Sequence, residues 1–211
     1  MDDDAATARR MKREVRRDLL AVRAALADDE VVHAADALER RVLALPELAD
    51  LAPGATVAGY VSVGREPGTA GLLAALRGRG VRVLLPVLLP DFDLDWAEFE
   101  GAGRLVESAH AGRSRLLEPR GPRLGRAAVT DAAVVLLPGV AVDRDGVRIG
   151  RGGGSFDRVL GRLAAAGAEP ALVALVYGHE MVERLPREPH DRSVHVAVTP
   201  EGVHRFPSGE G

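Results

Sequence analysis

Between Gly146 and Arg158 the chain reads GVRIGRGGGSFDR, five glycines, three arginines and one aspartate in close succession. Glycines at this density let successive backbone N–H groups turn toward an anion without a Cβ in the way. Helix-forming residues follow, so the loop runs into a helix N-terminus, where unpaired donors and the positive dipole end favour negative charge. Arg148, Arg151 and Arg158 add full charges. The chemistry that suits this set is phosphate binding, with Asp157 placed to hold Mg2+ beside the phosphates. A plainer alternative stands beside it: a flexible glycine hairpin fringed by solvated arginines, with Asp157 stabilising the helix start. No Gly-Lys-Ser/Thr follows, so this is not a Walker A loop. Nor does it occupy the first strand–helix turn, where a dinucleotide fingerprint belongs.

A second candidate lies near the N-terminus. Of the 28 basic residues, 27 are arginine and one, Lys12, is lysine. At an ordinary surface position either cation serves. The surviving lysine therefore marks a place where a compact ammonium fits and a planar guanidinium does not, or it survives by chance. Lys12 and Arg16 fall one helical turn apart and either reach an anion together or form a solvated face with Glu14 and Asp18. Glu66 sits in a Gly/Pro loop, GREPG, and Asp191 sits beside several arginines near the C-terminus. Each of these two is equally open to a plain surface reading.

These candidates need a scaffold, and the composition provides for one. The chain has 211 residues, 46% hydrophobic and 28% charged, which is globular rather than disordered. A formal charge of -3 gives no general attraction to nucleic acid. Cysteine is absent, which excludes disulfides, thiol catalysis and zinc–thiolate sites. No apolar run approaches the roughly 18 residues of a membrane span, and the first residues lack the apolar stretch of a signal peptide. The expectation is a cytoplasmic protein, monomeric, with no nucleic-acid or membrane partner.

The elements follow from periodicity. Ala5 to Ala27 and Asp28 to Leu45 read as two helices, the second capped by Asp28 or Asp29. Thr56–Val63, Val81–Leu85, Ala132–Leu137 and Ala171–Tyr177 read as buried strands, and Asp93–Phe99 as a short hairpin strand. A helix capped by Thr69 follows the first strand, and another runs from Ser155 to Ala166. Glu100 to Thr130 reads as a long excursion with one short strand near Arg104–Val106. A short helix near Glu180–Arg184 and a strand near Val194–Val198 complete the order. Apolar strands alternating with helices predict an α/β fold: one three-layer α/β/α domain, residues 1–207, with a mostly parallel sheet, two N-terminal helices and a frayed tail at 208–211. In such sheets the site lies beyond the carboxyl ends of the strands, here after Tyr60, Leu137 and Tyr177.

The segment around the glycine loop resembles the signature of the 5-formyltetrahydrofolate cyclo-ligase family, also called methenyltetrahydrofolate synthetase. That signature reads PG-hydrophobic-x-hydrophobic-D-x-x-G-x-R-L-G-x-G-G-G-Y-Y-D-R. Pro138, Gly139, Asp143, Gly146, Arg148, Gly150, Gly152 to Gly154, Asp157 and Arg158 match it. Ile149 replaces the usual Leu, and Ser155 and Phe156 replace two usual Tyr. Lys12 to Arg16 resembles the N-terminal K-x-x-hydrophobic-R motif. Tyr60-Val61-Ser62, Glu66-Pro67-Gly68-Thr69, Leu85-Pro86, Glu118-Pro119 and the stretch from Leu185-Pro186 through Asp191 to Thr199 resemble further family segments in the same order.

The resemblance implies ATP- and Mg2+-dependent conversion of 5-formyltetrahydrofolate to 5,10-methenyltetrahydrofolate. By position it implies ATP contacts from Lys12, Arg13, Glu14, Val15, Arg16 and from Arg148, Ile149, Gly150, Arg151, Gly152, Gly153, Gly154, Ser155 and Phe156. It implies folate contacts from Val61, Glu66 and Arg148, catalytic roles for Arg148 and Lys12, and Mg2+ ligation by Asp157 and Asp191. Because Ser155 and Phe156 depart from the pattern, two other expectations stay open. One is a paralogue acting on a different N-formyl substrate; the other is a non-catalytic folate- or nucleotide-binding protein.

Overall fold

The computed structural model describes residues 2–108, 115–188 and 191–207. Five α-helices lie within these residues: α1 (Asp2–Ala25), α2 (Asp28–Leu43), α3 (Pro46–Ala49), α4 (Ala70–Gly78) and α5 (Ser155–Ala165). The first six strands are β1 (Thr56–Ala58), β2 (Arg82–Leu88), β3 (Leu94–Glu98), β4 (Leu105–Glu107), β5 (Leu117–Pro119) and β6 (Val134–Pro138). The others are β7 (Ala141–Asp143), β8 (Arg148–Ile149), β9 (Ala171–Leu175), β10 (Met181–Val182), β11 (Val196–Val198) and β12 (Val203–Arg205).

Seven strands form one sheet in the order β12-β11-β9-β6-β1-β2-β3. The five inner strands are parallel, and β3 and β12 close the edges antiparallel. Side chains alternate between faces, as the pleat requires. Val57, Val83, Leu85, Val134, Leu136, Val173 and Leu175 pack with Leu38 and Val42 of α2 and with Leu72, Leu73 and Leu76 of α4. Their neighbours Ala58, Leu84, Val135, Leu137 and Ala174 pack on the other face with Val159, Leu160 and Leu163 of α5. Apolar groups on both faces of each inner strand are what make this a three-layer α/β fold.

The chain extends from β1 to β2 and β3 on one side, then crosses back to β6, β9 and β11 on the other. That reversal makes the gap between β1 and β6 the switch point, where loops leave in opposite directions and a crevice opens. A second, small sheet, β10-β7-β8, carries the approach to the glycine loop. Helix α1 packs Val15 and Leu19 onto Ala141, Val147, Ile149 and Leu185 there.

Several elements differ from the periodicity reading. The strand expected over Thr56–Val63 ends at Ala58. The Thr69 hydroxyl, expected to cap α4, instead donates to the Tyr60 carbonyl (2.8 Å) and accepts from Ser62 N–H (3.0 Å), closing residues 60–69 into a loop. The strand from Ala171 likewise ends at Leu175 rather than Tyr177. No helix forms over Glu180–Arg184. A 3-10 turn (Gly178–Glu180) runs into β10, because the Glu180 carboxylate is drawn inward to Arg23 (2.7 Å) and to Tyr177 N–H (2.9 Å). Ala27, not Asp28 or Asp29, is the cap residue of α2, and Glu30 accepts its N–H at 2.7 Å. The excursion from Glu100 holds two strands, β4 and β5, paired as a small sheet, and a 3-10 turn (Arg126–Asp131). Trp96 and Phe99 are buried, one in each of the two cores. The tail at 208–211 lies outside the described residues. Among the described residues no helix is long and apolar enough to cross a membrane.

Candidate active site

A cavity of about 350 Å³ opens at the carboxyl ends of β1 and β6. Tyr60 and Val61 enter it from beyond β1, and Pro138 and Gly139 from β6. The glycine loop, Gly150 to Gly154, and the first residues of α5 form one wall. Gly152 (φ +100°) and Gly154 (φ +73°) hold left-handed backbone that a Cβ would strain, and this bends the loop around the cavity. Gly154 occupies the cap position of α5 without a capping side chain. First-turn N–H groups therefore remain for a ligand, and the helix dipole favours an anionic one.

Arg148 is the central cation. Its side chain is only 3% exposed, with Nη1 donating to the Pro138 carbonyl (2.9 Å) and Nη2 to Asp157 (2.7 Å). Burial holds its pKa below the ordinary arginine value, while the charges of Asp157 and Asp191 pull the other way. Its Nε is buried without a hydrogen-bond partner, as is the Tyr60 hydroxyl on the same cavity. Burial, with Glu66 adding to it, pushes the Tyr60 phenol well above its usual range, so it stays a neutral donor. Both residues line the cavity, and each carries a buried donor without a partner, the kind of group an oxygen-rich ligand would complete.

The N-terminal motif is only partly brought to the cavity. Arg16 lines it, with Nε donating to the Gly150 carbonyl at 2.7 Å. Lys12 lies buried beside it rather than in its wall; Nζ donates to Glu188 (2.9 Å) and Asp191 (2.6 Å). The Asp191 charge in turn acts on Arg148, which links this buried cluster to the cavity. Arg13 and Glu14 are exposed, and Val15 and Ile149 pack into the small-sheet core. Asp143 of the signature is structural: it accepts N–H groups from Asp145, Val147 and Leu185 and so shapes the turn before β8.

On the opposite wall Val61 and Glu66 both reach the cavity. Glu66 is buried, accepts Val63 N–H at 2.8 Å and pairs with Arg151 Nε at 2.8 Å. This pair ties the loop after β1 to the glycine loop. Tyr60 meets Phe156 edge-on, with centroids 6.4 Å apart. Pro86, Leu88, Phe92, Leu94 and Leu116 complete an apolar wall. Glu118 fixes part of that wall by accepting Leu88 N–H at 2.9 Å. Sequence reasoning passes over this wall and the unpaired Tyr60 hydroxyl. An aromatic residue at a strand end is the available signal for Tyr60; the apolar wall comes from the β2–β3 hairpin and has none.

The described residues contain no group of three or more histidine or acidic side chains able to hold a metal. The carboxylates beside Arg148 nevertheless suit Mg2+. Asp157 is half-exposed at the cavity and Asp191 lies close enough to act on the same guanidinium. Mg2+ is commonly held by one or two carboxylates, with phosphate oxygens and water completing its shell.

A switch-point cavity walled by a glycine loop, a helix start and a buried arginine defines an α/β enzyme whose cavity has the polarity an anionic ligand needs. Sequence comparison matches residues 8–200 to the 5-formyltetrahydrofolate cyclo-ligase family, and the chain belongs to that family. It is 40% identical over 153 residues to a Mycolicibacterium smegmatis 5-formyltetrahydrofolate cyclo-ligase, covering 70% of this chain and 75% of the relative. The Escherichia coli K12 5-formyltetrahydrofolate cyclo-ligase is 32% identical over 150 residues, covering 70% and 79%. The solution structure of Aquifex aeolicus 5,10-methenyltetrahydrofolate synthetase superposes with a TM-score of 0.77 at 26% identity, covering 95% of both chains.

Proposed function

We propose that the protein converts 5-formyltetrahydrofolate to 5,10-methenyltetrahydrofolate, using ATP and Mg2+ and acting as a monomer. The γ-phosphoryl group passes to the formyl oxygen and ADP leaves. N10 then attacks the activated carbon, the C–O bond breaks with release of phosphate, and N10 gives up its proton. This chemistry needs alignment and charge neutralisation more than a protein nucleophile. The glycine loop and the start of α5 hold the phosphates. Arg148 faces the transferred group, where developing charge needs a cation. Arg16 holds the loop in place through the Gly150 carbonyl, and Lys12 holds Asp191. Asp157 and Asp191 would hold Mg2+, which supplies neutralisation of phosphate charge. Val61 and Glu66 position the folate, with the Glu66 carboxylate toward the donor-rich pterin edge, and Tyr60 offers a neutral hydroxyl.

The observation that carries this reading is the Glu66–Arg151 bridge, which brings the proposed folate loop and the proposed nucleotide loop to one cavity. The test is appearance of the methenyl chromophore when purified protein meets 5-formyltetrahydrofolate, ATP and Mg2+, with an ATP-free control. ATP-dependent product is expected. A folded sample that binds ATP and makes none overturns the substrate assignment. It would favour the second reading, a different N-formyl substrate, which the Ser155 and Phe156 departures motivate.

A further inference from the structure

Two cavity residues of opposite charge, one suited to each proposed substrate, are engaged with each other. Both oxygens of Glu66 are taken: Oε1 pairs with Arg151 Nε at 2.8 Å, and Oε2 accepts Val63 N–H at 2.8 Å. Arg151 also reaches the Val63 carbonyl, with Nη2 at 3.4 Å. The arginine side chain is 48% exposed and the glutamate only 8%, so Arg151 is the partner with room to leave. Gly150 and Gly152 flank it and place no side chain in its way.

Paired in this way, the two groups serve neither ligand well. A phosphate meets a guanidinium whose charge is offset by a carboxylate 2.8 Å away. A donor-rich ring edge meets a carboxylate whose oxygens are both engaged. Opening the pair releases both groups at once. Glu66 is not stranded by the opening, because it keeps Val63 N–H and its charge still acts on the buried Arg23. The ligand that binds first bears the cost of opening, and the second finds its partner already released. A shared cost of this kind couples the two ligands, and the coupling is reciprocal.

We infer that the Glu66–Arg151 ion pair is a clasp that the two substrates open jointly, so that each binds more tightly when the other is bound. The inference rests on the ATP-and-folate reading above and adds the device that links its two ligands. Titration calorimetry tests it in two independent halves. In the unaltered protein 5-formyltetrahydrofolate should bind at least about fivefold more tightly when a non-hydrolysable ATP analogue is saturating, the low end for linked sites. In Arg151→Gln the analogue should leave the folate affinity unchanged.

The second half needs no folate. Glu66→Gln keeps an oxygen for Val63 N–H and releases Arg151, so inorganic tripolyphosphate should bind about fivefold more tightly than to the unaltered chain. Damage to the fold would weaken binding, not tighten it. In an Arg151→Gln background the same Glu66→Gln change should give no gain, whereas a general effect of removing negative charge would persist. Equal folate affinity with and without the analogue overturns the inference. So does coupling that survives Arg151→Gln, or a tripolyphosphate gain that is absent in Glu66→Gln or survives in the double variant. If the unaltered protein does not bind 5-formyltetrahydrofolate at all, the substrate assignment fails as a separate matter, and the tripolyphosphate series decides whether the pair is a clasp.

Discussion

Arg23 offers the most quantitative test of how the site is held. It lies on α1, the same helix that carries Lys12 and Arg16, and is 2% exposed. Its Nε donates to Glu180 (2.7 Å), its Nη2 to the Gly139 carbonyl (2.6 Å), and its guanidinium lies 5.7 Å from the Tyr177 ring centre. Glu180, fully buried, also accepts Tyr177 N–H, and the Tyr177 hydroxyl donates to the Arg65 carbonyl (3.1 Å) beside Glu66. One guanidinium therefore joins α1, the cavity residue Gly139 and the loop after β1. Arg23→Met leaves a buried carboxylate without its cation, which costs about 3–5 kcal/mol. With a urea slope of about 2 kcal/mol/M, the unfolding midpoint falls by about 1.5–2.5 M.

The double substitution Arg23→Met with Glu180→Gln removes both charges while the amide oxygen still accepts Tyr177 N–H. Arg23 Nη1 has no partner in the native pair, so the pair is not fully satisfied to begin with. The double variant should accordingly be more stable than Arg23→Met alone, and its loss should fall short of the sum of the two single losses by about 2 kcal/mol, a coupling typical of contacting groups. Chemical denaturation of the four proteins reads this cycle. A loss below about 1 kcal/mol for Arg23→Met, or strictly additive losses, would refute the reasoning.

Three further outcomes follow from the geometry. Arg148→Lys keeps a charge but loses the planar fork that spans Pro138 and Asp157, so kcat/KM should fall about a hundredfold, as when one preorganised donor is removed; steady-state kinetics showing near-normal turnover would take Arg148 out of the site. Lys12→Arg places a wider, planar cation between Glu188 and Asp191, where the side chain is only 5% exposed; ATP use should drop, and near-normal kinetics would mean that the lone lysine carries no constraint. Glu47 is held below its ordinary value of 4.5 chiefly by a hydrogen bond from Arg205; a depressed carboxylate stabilises above its unfolded pKa and loses this as pH falls through the folded one. Arg205→Gln should therefore lower stability at neutral pH and narrow its gap to the unaltered protein below pH 4.5, which acid unfolding curves would show.

Much of this protein is legible along the chain. The inner strands announce themselves because burial on both faces leaves no polar alternation. The run Ala132 to Leu137 is read as strand because it is short, wholly apolar and bounded by Pro138 and Gly139, and the strand that forms spans Val134–Pro138. The glycine loop is legible because left-handed backbone restricts residue type locally, at Gly152 and Gly154. The same local logic fails where a side chain's partner is distant in sequence. Its neighbours make Glu180 look helical, but Arg23, 157 positions away, draws its carboxylate inward. Thr69 has the position of a helix cap, but the Tyr60 carbonyl takes its hydroxyl.

The sequence by itself therefore determined the layered α/β class and the glycine-bent course of one loop, since both follow from local hydropathy and backbone freedom. Only the tertiary structure decided which candidates meet. It set Arg16 in the cavity wall and Lys12 in a buried cluster beside it, and paired Glu66 with Arg151. Those relations depend on the sheet order and on long-range ion pairs, and neither is written in the spacing of neighbouring residues.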